Sequence, residues 1–494
     1  MPLTNCAAVT ALLHRPPLPM PGCYDAPMSS PVLRVGALRI AGFGHTARRL
    51  SRWSRLVSGL AVTLASVVLP LALAAQAKHV VLISVDGLMP AAYTQPVDGG
   101  RYVPNLLAMK REGCAAPGVR GVFPTVTYPS HTSMVTGQNP AAHGIVSNNR
   151  FDPFDRTNGG WYWYADLIKV PALWDIVRAN NGKTAAVSWP VTVGAAIDYN
   201  IPEYRSIRIQ DDVSLLRGLS TPGVFDVVEK ATTKLAPDVW NDDWRANAAI
   251  ALFKQHRPNL LLLHIFDLDS AQHTYGPGTP ETFETLTRLD GLIGKMRAEF
   301  TALVGKDNIA FVIVSDHGFR PIRQQFHPRV ALADLGLVSL SGQGKVTKWS
   351  VFTQGAGGAA AFYVSDPADQ DAMAKTTARI KELAADPKNG IGRVYTKPDL
   401  AELKAFDGAF LAIEGAPGFT IGDGTTGELV TRAGYKGTHG FDPRHPELQA
   451  SMILYGAGVK PCDSLPNARL IDVAPTVAKL LGYPLPNVEG KPLN

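Results

Sequence analysis

The sequence predicts an α/β protein with a mainly parallel central sheet, on three observations. From Lys78 onward, short β-rich apolar runs alternate with segments of helical periodicity. The apolar runs are continuous, as in strands buried on both faces. Three of them end in aspartate, at the strand rim where open parallel sheets bind their ligands.

HVVLISVD (79–86) reads as the first strand, and VPNLLAMKREG (103–113) as a helix with a glycine stop. The helical PALWDIVRANNG (171–182) precedes the strand KTAAVSW (183–189), and WRANAAIALFKQH (244–256) precedes NLLLLHIFD (259–267). The longest helical stretch, ETFETLTRLDGLIGKMRAEFTAL (281–303), leads into NIAFVIVSD (308–316). Such alternation implies a parallel sheet with helices on both faces.

Between 322 and 434 the chain changes character, with glycine-rich loops around the strand AAAFYV (359–364) and the helix DAMAKTTARIKELAAD (371–386). The alternation resumes with QASMILYG (449–456), read as a strand, and DVAPTVAKLLG (472–482), read as a helix capped by Asp472. The predicted organisation is a core of 78–321 and 435–494, an inserted subdomain of 322–434, and a leader of 1–77.

Charge sets the leader apart. The formal net charge is +6, from 48 basic and 42 acidic residues. Residues 1–77 hold seven of the arginines and one acid, Asp25, which leaves 41 of each sign in the remainder. A binder of polyanions concentrates positive charge in its folded part, so nucleic-acid polymers are not expected partners. ARRLSRWSR (47–55), LVSGLAVTLASVVLPLALA (56–74) and AQA (75–77) read as the basic, apolar and cleavage regions of a signal peptide cut after Ala77. The expected location is periplasmic or secreted, with no membrane contact beyond that segment; an uncleaved anchor is the alternative reading. Of four cysteines only Cys114 and Cys462 lie beyond the leader, and an oxidising compartment would permit one bridge between them.

The candidate chemistry gathers at the strand ends. Asp86, the pair Asp267 and Asp269, and Asp316 beside His317 close three apolar runs. Asp269 and His273 are four residues apart, a spacing that puts both on one face of a helix. GTHGFDP (437–443) offers His439 between glycines. Mixed aspartate and histidine ligands suit zinc or another borderline divalent ion better than magnesium or calcium. FPTVTYPSHTSMVTG (123–137) carries threonines at 125, 127, 132 and 136 and a histidine at 131. It reads as a turn into a helix whose N-terminus suits a phosphate oxygen, and a cation beside a hydroxyl there would activate it.

Together these blocks resemble the alkaline phosphatase superfamily, and within it the nucleotide pyrophosphatase/phosphodiesterase (type I phosphodiesterase) family. SVDG, PTVTYPSHTSMVTG, NPAAHGIVSN, SWP, DLDSAQHTYGP, VSDHGF and GTHGF carry the likeness, in that order, over 79–494. It implies an alkaline-phosphatase-like three-layer α/β/α sandwich and two zinc ions. One ion would take Asp86, Thr127, Asp316 and His317, and the other Asp269, His273 and His439.

The resemblance makes Thr127 the nucleophile, because it directly precedes the aromatic residue of the block, and leaves His131 as helix scaffolding. Asn148 would hold a phosphate oxygen. Tyr128 would form one wall of a nucleobase slot, and Tyr204 is a candidate for the other. Tyr128 stands where Phe is common in the family, and Ser130 where Asn is common.

The implied reaction has two steps: attack by Thr127 to form a phosphothreonine, then hydrolysis of that intermediate. Expected substrates are phosphodiester or pyrophosphate bonds of small nucleotides. The alternatives on the same pair of metals are a phosphate monoesterase, a phosphonate hydrolase or a lipid head-group phosphodiesterase. Trp189-Pro190-Val191 stands where related monoesterases carry basic residues, which favours a diester. Arg150, Arg205 or Lys436 would restore the missing charge if one of them reached the site.

Overall fold

The computed structural model describes residues 76–100, 102–157, 160–205, 213–232 and 241–494. The basic and apolar stretches read as a leader and signal, 47–55 and 56–74, lie outside the described residues. The central sheet has seven strands: β1 (His79–Val85), β2 (Cys114–Ala115), β3 (Thr184–Val187), β4 (Tyr199–Ile201), β5 (Leu260–Ile265), β6 (Ile309–Val314) and β7 (Met452–Gly456). Their spatial order is β2-β7-β6-β1-β5-β3-β4. The five from β6 to β4 are mutually parallel, as the alternating pattern predicts.

One strand departs from that pattern. β7 runs antiparallel to β6, with Met452 opposite Val314 and Gly456 opposite Ala310. The chain leaves the sheet at the carboxyl end of β6 and returns at that same rim, so the next strand must run downward. An apolar run carries no information about its direction, and only the path of residues 315–451 decides it.

The strands are buried on both faces, and consecutive side chains sort to opposite sides. Val81, Ile83 and Val85 of β1 join Leu261, Leu263, Phe311 and Ile313 under helices α1 (Pro104–Glu112), α4 (Asp242–His256) and α6 (Pro280–Val304). Val80, Leu82, Leu262, Val312 and Val314 face α2 (Thr127–Thr136), α3 (Leu173–Ala179) and α7 (Val473–Leu481). These are the three layers α/β/α. Asp472 does not cap α7 with its side chain. Its carboxylate accepts instead from Arg469 and from the amide of Lys491, tying the C-terminal tail to the helix start.

Val351–Gly355, Ala359–Val364, Leu411–Gly415 and Ile391–Thr396 form a separate four-stranded antiparallel sheet, in that order. Phe352, Phe362 and Ile413 pack beneath Ile380 and Leu383 of the helix Gln370–Ala385. A further cluster joins the other face of this sheet to the segment before α2, with Phe123 and Val126 against Ala361, Tyr395 and Ala412. Cys114 of β2 and Cys462 form a disulfide with Cα atoms 4.8 Å apart.

Candidate metal centre and nucleophile

The carboxyl ends of β1, β5 and β6 bring the strand-end aspartates together. Asp86 follows β1 directly, and the next residue, Gly87, has φ +70. A side chain there would collide, because a Cβ would lie 2.7 Å from Gln272 Nε2 and 2.9 Å from the Phe319 ring. The tight turn lets the Gly87 amide donate to Asp316 Oδ1 at 3.1 Å, and the His317 amide donates to the same oxygen at 3.1 Å. With Oδ1 held by two backbone donors, Asp316 Oδ2 is left facing the site without a hydrogen-bond partner.

The same division holds at Asp86. Its Oδ2 accepts from His264 Nε2 at 3.1 Å, and its Oδ1 is orphaned 3.3 Å from His317 Nε2. The bend after β6 brings His317 Nε2 to 3.2 Å from Asp316 Oδ2, so these adjacent residues do converge.

Helix α5 (Asp267–Tyr275) carries the second group. Asp269 Oδ1 lies 3.5 Å from His273 Nε2, one turn along, and 3.6 Å from His439 Nε2. His439 arrives on a loop made possible by Gly440 (φ +93), where a Cβ would sit 1.6 Å from the Ala356 carbonyl. The two groups abut, with the rings of His317 and His439 stacked at 3.6 Å and 10°.

All three histidines use Nδ1 in the same way. His273 bonds the Gly437 carbonyl at 2.8 Å, His317 that of Gly318 at 3.2 Å, and His439 that of Thr125 at 2.9 Å. Each Nδ1–H donates, so each Nε2 lone pair is presented as a ligand.

Electrostatics argue for cations in both places. Burial pushes the Asp86 carboxyl well up, aided by Asp316 and Asp269, and burial raises Asp269 to about 6. Burial holds His317 and His439 well below the usual histidine range, so both are neutral bases. Buried charge without a partner costs several kcal/mol. Asp86 Oδ1, Asp269 Oδ1, Asp316 Oδ2 and His317 Nε2 are all buried and orphaned. The ligand atoms within each group, Asp86–Asp316–His317 and Asp269–His273–His439, lie within 4.8 Å of one another. The donor set fits one divalent ion in each.

Thr127 is the first residue of α2, 8% exposed, and opens with Asp86 and Asp269 into a cavity of about 310 Å³. Asn148 Oδ1 accepts the amide of Tyr128, in the first turn of α2, at 2.9 Å; its NH₂ remains as a donor beside the helix terminus. His131 is helix scaffolding, bonding the Thr127 carbonyl through Nδ1 at 2.8 Å, and burial lowers it to about 3. Thr125 braces the His439 loop: its hydroxyl donates to Phe441 O at 2.9 Å and accepts from Gly440 N at 3.0 Å.

Tyr128, the expected slot wall, is not among the residues that line this cavity. Tyr128 is fully buried and stands edge-on to Trp161 and Trp163, 5.1 and 5.8 Å away. Trp161 and Trp163 line the cavity in its place, stacked on each other at 5.5 Å and 11°. Tyr204 is half-buried, packs on Trp163 at 5.2 Å and is not among the residues that line the cavity.

Six residues of the cavity carried no sequence-based expectation of a role there: Trp161, Trp163, Glu203, His264, Phe266 and Ser270. The legible signal for His264 was a histidine inside an otherwise Leu/Ile strand. Of the three candidate cations, Arg205 lines the cavity, whereas Arg150 lines a different one beside Asp152.

Fold and site together define a class, an alkaline-phosphatase-like α/β protein with acid-and-histidine groups on the rim of its sheet. The chain belongs to the type I phosphodiesterase / nucleotide pyrophosphatase family, whose model matches residues 80–442. Human ectonucleotide pyrophosphatase/phosphodiesterase family member 1 is 28% identical over 247 residues, 48% of this chain and 23% of that protein. Human family member 7 is 28% identical over 251 residues, 49% of this chain and 48% of the relative. The chain thus spans half or less of the length of these relatives. Among solved structures, human ectonucleotide pyrophosphatase/phosphodiesterase 5 matches with a TM-score of 0.60 at 18% identity, over 84% of this chain and 97% of that one. The murine protein, as an inactive variant in complex with AMP, matches at 0.58 and 18% identity, with the same coverage; both likenesses are of fold.

Proposed function

We propose that the chain hydrolyses phosphodiester or pyrophosphate bonds of nucleotides, with Thr127 as nucleophile beside two zinc ions. The observation that carries this reading is the shared cavity, which Thr127 lines together with one aspartate from each candidate metal group. Asp86, Asp316 and His317, with Thr127, would hold one ion, and Asp269, His273 and His439 the other. Bound ions would supply positive charge to the phosphate oxygens and favour ionisation of the hydroxyl. Thr127 is set at a helix N-terminus, whose potential favours an incoming anion; its hydroxyl oxygen gives up its proton and attacks phosphorus in line. The bond to the leaving alcohol or phosphate oxygen breaks as the phosphothreonine forms, and water then hydrolyses that intermediate to release the nucleotide and restore the hydroxyl. Asn148 donates its NH₂ to a phosphate oxygen.

Trp161 and Trp163 offer the nucleoside an aromatic surface, with Tyr204 packed on Trp163. Family membership supports the reaction, and the AMP complex of a protein of the same fold supports a nucleotide as its object. Residues 322–434 would form an inserted subdomain that returns the chain to the core at His439. The named relatives are called ectonucleotide pyrophosphatase/phosphodiesterases, in keeping with a secreted or periplasmic protein whose signal is cut after Ala77. Among the described residues no helix is long and apolar enough to cross a membrane.

The position of Arg205 in the cavity favours a second reading within the same site. A guanidinium there suits the further phosphate of a pyrophosphate, or the extra charge of a monoester. One assay decides between substrates: zinc content by elemental analysis, with hydrolysis of bis-p-nitrophenyl phosphate, p-nitrophenyl phosphate and a nucleotide p-nitrophenyl ester. We expect two zinc per chain and preference for the nucleotide ester. Preference for p-nitrophenyl phosphate by orders of magnitude would overturn the diesterase reading.

A further inference from the structure

We propose that Glu203 and His264 are positioning residues for metal binding, in which Glu203 fixes the His264 ring and that ring aims Asp86 at its ion. The inference rests on the reading of Asp86 as a metal ligand. His264 is the one polar side chain of β5, whose other residues are Leu260, Leu261, Leu262, Leu263 and Ile265, and it is 1% exposed. A leucine there would cost nothing in burial, and replacing buried ionic groups by apolar ones is often neutral or stabilising. The histidine therefore calls for a reason other than fold stability.

The geometry points to one. His264 Nε2 bonds Asp86 Oδ2 at 3.1 Å, while Nδ1 lies 3.2 Å from Glu203 Oε2 and 3.2 Å from the Ser188 carbonyl. The ring packs against His131 at 4.3 Å and Phe266 at 5.1 Å, so it has little freedom to turn. Engaging Oδ2 leaves Oδ1 as the free oxygen, 3.3 Å from His317 Nε2. Asp316 is oriented differently, by the backbone amides of Gly87 and His317. Asp86 depends on side chains for the same service, His264 near the end of β5 and Glu203 just beyond β4.

The test is chelator competition for Zn²⁺ on the whole protein without substrate, alongside thermal melting. The wild type is expected to hold two ions. Glu203→Leu should weaken one of them by about 10–100-fold and leave the other unchanged, with a Tm close to that of the wild type. His264→Phe should do the same. Glu203→Gln, whose amide oxygen still accepts from Nδ1–H, should restore most of the affinity. Wild-type affinity at both sites in Glu203→Leu would overturn the inference, as would equal weakening of both ions with a fallen Tm. A wild type that binds no zinc would instead sink the metal-site reading itself, before any substitution is compared.

Discussion

Thr125 and His439, 314 residues apart, are bound to each other through main chain and side chain. His439 Nδ1 donates to the Thr125 carbonyl at 2.9 Å, and the Thr125 hydroxyl bridges Gly440 N–H and Phe441 O. Two residues later Thr127 opens α2 beside the strand-end acids. One short extended segment thus locks the loop that brings His439 in, then presents the candidate nucleophile.

That relationship separates two threonines alike in sequence. Thr125→Ala strands a buried amide and a carbonyl while leaving the carbonyl of residue 125 for His439. The expected cost is about 1–3 kcal/mol of stability, seen as a lowered Tm. Turnover at 25 °C should fall less than about tenfold. A loss of turnover as complete as that from changing Thr127 would contradict the division of roles.

Metal binding should depend on pH in a stated direction. Asp269 is raised to about 6 and Asp86 is pushed up from the carboxylate range, both chiefly by burial. Below about pH 6 the metal-free site therefore holds protons that an ion must displace. His317 and His439 are held below their ordinary values and add no competing proton near neutrality. Zinc affinity should fall as pH drops from 8 to 5, with proton release largest near the lower end. Calorimetry in two buffers of different ionisation enthalpy measures this, and an affinity unchanged over that range would refute it.

The aromatic assignment can be tested in pairs. Trp161→Ala should raise KM for a nucleotide ester by about 10-fold, in line with stacking worth ~1–3 kcal/mol, with kcat less affected. Tyr128→Phe should leave KM unchanged, because the Tyr128 side chain is fully buried and does not line the cavity. The opposite ranking would return the slot wall to Tyr128.

The regular part of this protein was legible in its sequence for a physical reason. A doubly covered parallel strand must be apolar at every position, so β1, β5 and β6 stand out as runs. Where such a strand ends its apolar run breaks, so Asp86 and Asp316 stand out in the sequence although both are buried. The direction of β7 was not legible, since antiparallel entry depends on where the intervening chain returns. Nor was the short β4, three residues long and without a run of its own. The burial of Tyr128 was not legible, because adjacency to Thr127 says nothing about which way a helical side chain points. Tyr128 turns into the cluster with Ile145, Trp163 and Val191, and the tryptophans cover it. Glu203 was hidden because its meaning lies in a neighbour on another strand, His264.

The central claim is that the Thr127 hydroxyl performs the attack, and it is tested most directly by Thr127→Ala assayed on a nucleotide p-nitrophenyl ester. With unchanged Tm, turnover should fall by more than about 10³-fold, as for a lost nucleophile. A folded variant that keeps near-full activity would contradict it.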